Sequence, residues 1–222
     1  MAADRLRSKK QRMKVIEMSN RVHIRSVETL SDDWYVLKKT AFDYLRRDGT
    51  WQIQSRETYD RGNGAVILLY NRMHGTVVLT RQFRFPAYVN GTLSGMLIEA
   101  CAGLLDQEAP EAGIEWEAAE ETRFQIVGAE KIFEAYMSPG SVTEKLFFFI
   151  AEYHRGSKIS EGGADKGEGE DIEVLELPLK QAIAMIESGE IADSKTIMLL
   201  QYAKLHNLID GVRKIGLLRL EL

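Results

Sequence analysis

Glu117, Glu120 and Glu121 stand close together in Glu115-Trp116-Glu117-Ala118-Ala119-Glu120-Glu121-Thr122, a stretch with the makeup of a helix. Helical spacing makes Glu117 and Glu121 i,i+4 neighbours and Glu117 and Glu120 i,i+3 neighbours, so three carboxylates share one face. No Lys or Arg in the stretch neutralises them. Two such charges about 4 Å apart repel by roughly 4 kcal/mol at an effective dielectric near 20. A divalent cation converts that repulsion into binding. Oxygen ligands with no His or Cys nearby suit Mg²⁺ or Mn²⁺ and argue against Zn²⁺. Such cations keep several waters and commonly bridge to phosphates, so diphosphate chemistry is the natural reading. A bare Glu-rich helix is more often a solvated face. The glycine turn ahead of it, Ala102-Gly103-Leu-Leu-Asp-Gln-Glu108, with Glu108 nine residues before Glu117, favours the site.

The surrounding elements must hold this helix in place. Pro110 suits a first helical turn and Glu111 its positive end, which predicts a helix over 110–122. Further helices are expected at 179–188, opened by Pro178 and closed by Gly189, and at 194–207, opened by Asp193-Ser194. The β-rich stretches 35–45 and 51–59 flank Arg47-Asp48-Gly49, a good hairpin turn. Stretches 65–70 and 76–80 surround a second turn, from Asn71 to Gly75. Further strands are expected at 96–101, 131–137, 145–153 and 172–177. Strand runs on both sides of an interior helix, with more helix at the end, predict an α+β fold with a mixed sheet. Residues 161–170, rich in Gly and acids, form the one clear loop insertion.

Composition narrows the class. The 222 residues are 45% hydrophobic and 28% charged, which excludes a collagen-like, mucin-like or wholly disordered chain. A net charge of −4 makes broad electrostatic capture of nucleic acid unexpected. The charge is uneven: residues 1–14 carry Arg5, Arg7, Lys9, Lys10, Arg12 and Lys14 against Asp4 alone. They read as a basic flexible tail. Cys101 is the single cysteine, so no intramolecular disulfide forms and a reducing compartment is expected. Apolar runs such as 146–151 fall far short of the roughly 20 residues that span a bilayer, and no apolar signal core follows the basic start. The expected location is the cytoplasm, with no membrane partner.

Residues 103–124 resemble the Nudix box, Gly-x5-Glu-x7-Arg-Glu-apolar-x-Glu-Glu-x-Gly-apolar. Here it reads Gly103-x4-Glu108-x7-Trp116-Glu117-Ala118-x-Glu120-Glu121-x-Arg123-Phe124. The resemblance extends to Arg56-Glu-Thr-Tyr-Asp-Arg61-Gly-Asn-Gly-Ala65, Arg81-Gln-Phe-Arg84, Ser138-Pro139-Gly140 through Glu144, and Glu168-Gly-Glu170-Asp171-Ile172-Glu173. Together these are similar to the GDP-mannose pyrophosphatase branch of the Nudix hydrolases, close to the ADP-ribose pyrophosphatases, over about residues 28–208. Three departures stand out. The Gly-to-Glu spacer is one residue short, Trp116 replaces the box arginine that holds the glutamates in place, and Arg123 replaces the box glycine. A glycine after a helix normally takes the left-handed position, so Arg123 costs about 1 kcal/mol if the turn is kept.

The resemblance implies a Nudix fold, a mixed sheet sandwiched between helices. A small antiparallel β subdomain at 15–60 would form a homodimer, with the hydrolase domain at 61–210 and a tail at 211–222. It implies a metal site of the Ala102 backbone carbonyl, Glu117 and Glu121, with Glu120 sharing a further metal and acting in catalysis. It also implies a catalytic base at Glu168, or at Glu170 nearby. Arg56, Arg61, Arg81 and Arg84 are candidates for binding the substrate's diphosphate, because guanidinium groups match phosphate oxygens bidentately. Arg81 and Arg84 lie near a strand end, where alternation sends neighbours to opposite faces. Tyr88 and Phe85 are candidates to stack on the base, and Glu144 to add to the acidic site. The implied reaction is Mg²⁺-dependent hydrolysis of a nucleotide sugar, GDP-mannose, to GMP and mannose 1-phosphate. ADP-ribose hydrolysis is the alternative enzyme, and a non-catalytic nucleotide-sugar binding protein the alternative class.

Overall fold

A computed structural model describes residues 20–105, 109–158 and 171–209. The described residues divide into two compact units, with the boundary between Asp60 and Arg61. In the first, β1 (Val22–Asp32), β2 (Val36–Leu45) and β3 (Trp51–Asp60) form an antiparallel three-stranded sheet in that order. The turn between β2 and β3 closes through Arg46 N donating to Thr50 O, with the Asp48 carboxylate accepting from Thr50 N. Arg25 pairs with Asp43 across β1 and β2, and His23 stacks on Trp51 at 4.6 Å. Strand β1 was not expected from the sequence, because its residues, largely polar and charged, carry little of the alternation that marks a half-buried strand.

The second unit is built on a seven-stranded mixed sheet. Its main path runs β10 (Glu173–Pro178), β5 (Thr76–Phe83), β4 (Gly64–Asn71), β9 (Lys145–Glu152) and β8 (Glu130–Tyr136). Strands β4 and β9 run parallel; the other neighbours are antiparallel. All eight residues of β4 are buried, as a continuous apolar strand covered on both faces must be. Alternation divides the core in two. Val66, Leu68 and Phe148 face α3 (Leu179–Ser188) and α4 (Ser194–Leu205), through Ala182, Leu199, Leu200 and Ala203. Ala65, Ile67 and Phe149 face α2 (Pro110–Thr122), through Ile114 and Ala118. The result is the expected α+β sandwich of a mixed sheet between helices.

One segment departs from the expected single strand at 96–101. Strands β4 and β5 pair only at their hairpin end, Leu69–Asn71 with Thr76–Val78, and then part. The fork is filled by β6 (Met96–Glu99), which pairs with β5, and β7 (Ala102–Leu104), which pairs with β4. Between them the chain crosses from one branch to the other. It is fixed there by Ile67 N donating to Cys101 O at 2.9 Å and Ala100 N donating to Thr196 Oγ1 at 2.7 Å. Thr196 in turn is held by Asp193, which caps α4 through Thr196 N at 2.9 Å. A short helix, α1 (Phe85–Val89), follows β5 where the sequence suggested only a strand end.

Candidate active site

A cavity of about 700 Å³ opens at this fork. Its lining includes Gln82 of β5, Arg84 and Ala87 at α1, Glu99 of β6, Ala102 and Gly103 of β7, Glu117 and Glu121 of α2, and Lys195 of α4, together with Arg61 and Glu144. Among the described residues only Glu99 and Glu121 are charged and buried, 3% and 5% exposed, and both line this cavity. Carboxylates are almost never buried without partners, so two in one cavity mark a built site.

Helix α2 explains the placement of its glutamates. Its buried stripe is Ile114, Ala118, Glu121 and Thr122, so Glu121 occupies a position that packing would normally give to an apolar side chain. Glu117 lies one turn earlier beside it and reaches β7. A Cβ built on Gly103 would fall 2.6 Å from Glu117 Cδ and 2.8 Å from Oε2, so only glycine leaves room for this carboxylate. Glu120 is half-buried and does not line the cavity, because it is displaced from Glu121 by about 100° around the helix. The three expected carboxylates therefore contribute two to the cavity. Glu115 anchors the following loop, accepting from Gly128 N and Ala129 N at 2.6 and 2.7 Å.

The basic side chains are sorted by the fork. Arg84 Nε donates to Glu99 Oε2 at 2.6 Å, while the other oxygen, Oε1, accepts from Lys195 Nζ. Lys195 also reaches Asp193 Oδ1 at 2.9 Å. Arg61 pairs with Glu144 Oε1 at 3.3 Å. Arg81 does not line the cavity: alternation sends it to the opposite face of β5 from Gln82, and it pairs with Glu173 of β10, directly opposite in register, at 2.9 Å. Tyr88 is likewise outside the lining, half-exposed on α1 against Phe83 and Phe85. Arg56 belongs to β3 of the first unit, with Nη1 donating to Ser55 O. Glu108, Glu168 and Glu170 lie outside the described residues.

Sequence reasoning missed Glu99 and Lys195. A signal existed for the first, since an acid in the otherwise apolar Met96-Leu-Ile-Glu-Ala-Cys101 needs a partner if that strand is buried. None existed for Lys195, whose position follows from tertiary packing of α4. Cys101 is no nucleophile here. Burial, then the adjacent Glu121 carboxylate to which its thiol donates, and then Glu117, push it well above its ordinary pKa.

The donor set suits a hard cation. Among the described residues no three His, Cys, Asp or Glu side chains converge into a ready-made metal cage. Glu117 and Glu121, in a cavity that Ala102 and Gly103 of β7 line together with Arg and Lys, are instead a donor set that fits a hard cation retaining several waters.

Comparison with known proteins gives this geometry its context. Residues 21–59 match the family described as the GDP-mannose pyrophosphatase NudK N-terminal domain. The chain is 58% identical over 186 residues to the GDP-mannose pyrophosphatase of Pectobacterium atrosepticum, covering 84% of this chain and 95% of that one. It is 57% identical over 190 residues to the GDP-mannose pyrophosphatase of Yersinia pestis, covering 85% and 94%. The chain belongs to the GDP-mannose pyrophosphatase branch of the Nudix hydrolases. Hydrolases of this class generally use a divalent metal. A solved structure titled as an ADP compounds hydrolase shares the fold, with a TM-score of 0.66 at 15% identity, covering 86% of this chain and 96% of that one.

Within the Nudix box of this family member, both departures in the helix are visible. Trp116 is 65% exposed and turned away from the cavity, so it neither obstructs the glutamates nor replaces the arginine's hold on them. Arg123 keeps the glycine turn: φ is 62°, ψ is 16°, and its N–H donates to Ala119 O at 3.1 Å. Arg123→Gly is therefore expected to stabilise the protein by about 1 kcal/mol, read as a higher urea midpoint at unchanged slope. An unchanged or lower midpoint would show that the arginine side chain offsets its backbone strain.

Proposed function

We propose that this chain hydrolyses GDP-mannose to GMP and mannose 1-phosphate with Mg²⁺. A single cavity lined by Glu117 and Glu121 together with Arg84 and Lys195 carries the reading: it combines carboxylates for a cation with cations for a phosphate. Glu117, Glu121 and the Ala102 carbonyl would hold the ion. When bound, Mg²⁺ neutralises diphosphate charge and lowers the pKa of a coordinated water. Arg84, Lys195 and Arg61 orient the diphosphate by charge-assisted hydrogen bonds. Gly103 keeps Glu117 against β7, and α2 keeps Glu121 desolvated. Glu168 or Glu170 would take the proton from the attacking water, and Glu120 would share a further metal.

The test is Mg²⁺-dependent product release from GDP-mannose and ADP-ribose side by side, with products identified by chromatography. Turnover of GDP-mannose is expected, abolished by chelator and reduced about a hundred- to a thousandfold in Glu121→Gln, as when a transition-state charge stabiliser is removed. Preference for ADP-ribose would overturn the substrate assignment, and tight binding without turnover would leave a nucleotide-sugar binding protein.

A homodimer in the cytoplasm completes this reading. Ile24, Val27, Trp34 and Ile53, exposed on the small sheet's strands and turn, support an interface there. Light scattering is expected to give twice the chain mass of 25.2 kDa; a monomer mass would remove the dimer.

A further inference from the structure

We infer that Glu99 is a positioning residue whose buried carboxylate aims Arg84 and Lys195 at a diphosphate. This rests on the cavity being the substrate site. Glu99 lies in β6, 3% exposed, and its two oxygens are divided between two cations from distant parts of the chain: Arg84 at the entrance to α1 and Lys195 in the first turn of α4. Its own backbone is fixed in the fork, with its carbonyl accepting from Thr80 Oγ1 at 3.3 Å and the next residue tied to Thr196. Lys195 has a second tether at Asp193, whose other oxygen caps α4.

Charge explains why an acid is needed at a site for anions. Two cations in one cavity repel, and long side chains have many rotamers. A single carboxylate between them holds both; Asp193 also pairs with Lys195, so the four groups balance, and what the pair offers a phosphate is N–H donors at fixed places rather than a net charge. Arg84 binds Glu99 through Nε, so the two terminal nitrogens of its guanidinium stay available for phosphate oxygens. Glu99 touches neither substrate nor metal in this scheme; it acts through its partners.

The experiment compares the full chain with Glu99→Gln and Glu99→Asp in two assays: steady-state GDP-mannose hydrolysis with Mg²⁺, and calorimetric binding of inorganic pyrophosphate to the metal-free protein. In Glu99→Gln the amide nitrogen faces a cation, and the expected result is a KM raised about tenfold or more, kcat within threefold, and pyrophosphate binding weakened by a similar factor. Glu99→Asp keeps the charge, folds where the amide variant fails, and should fall between the two in KM. A KM and a pyrophosphate affinity equal to the parent's in a folded variant would overturn the inference, as would a lost kcat at unchanged KM. A parent that binds pyrophosphate but turns over no GDP-mannose would refute the proposed activity and leave this inference to stand or fall on the pyrophosphate comparison.

Discussion

Gly103→Ala is expected to lower kcat for GDP-mannose by about a hundredfold while the melting temperature stays within a few degrees of the parent's. The added methyl would meet Glu117 at 2.6 Å, inside any real carbon–carbon contact, so one of the two must move. The backbone at Gly103 is held in β7 by pairing with Ala65 and does not use a positive φ, so alanine is compatible with the local conformation. The glutamate side chain is the softer partner and will rotate away from the strand. A displacement of about 1 Å at the carboxylate proposed to hold the ion is enough for a loss of this size. Steady-state kinetics over a Mg²⁺ range, with thermal melting alongside, decides it. Activity within threefold of the parent would mean that Glu117 works from a different position.

Phe148→Ala should be the more severe change for stability and the milder one for catalysis. Phe148 is fully buried in β9, stacks on Phe133 at 4.5 Å, and packs in the core against α3 and α4. Removing the ring should destabilise the protein by about 3–5 kcal/mol, since both transfer free energy and a cavity are involved. That corresponds to a fall in Tm of roughly 10 °C for a chain of this size. The site's helix α2 packs on the opposite face of the sheet, so kcat well below the melting transition should stay within about twofold of the parent's. A large loss of kcat in the folded variant would show that the two faces of the sheet are coupled.

Local signals carried much of this structure. Pro110 and Glu111 fixed the start of α2, the hairpin residues at 47–49 fixed the first turn, and the apolar run at 65–70 required a strand covered on both sides. Helical spacing put Glu117 and Glu121 on one side of α2, and both line the cavity; Glu120, which the same spacing grouped with them, does not. What was not legible is non-local. The splitting of 96–104 between two strands depends on how β4 and β5 diverge, and no periodicity within nine residues reports that. Lys195 reaches Glu99 only because α4 is pinned to Ala100 through Thr196. Arg81 and Arg84 differ in role because one meets Glu173 across a strand pair, a register that the sequence does not announce.

The parallel pairing of β4 with β9 sets an order for biogenesis. Asn63 accepts from Lys145 N across a separation of 82 residues, and the register continues from Gly64 with Leu146 to Tyr70 with Glu152. Closing so long a loop is slow compared with forming a hairpin. While the chain emerges from the ribosome, β4 and β5 can pair, but β4 lacks its parallel neighbour until residue 152 has been made. Lys195 arrives later still. The nascent polypeptide therefore carries Glu99, Glu117, Glu121 and Glu144 before it owns the scaffold that spaces them, and the cavity they line is completed only when synthesis is nearly finished.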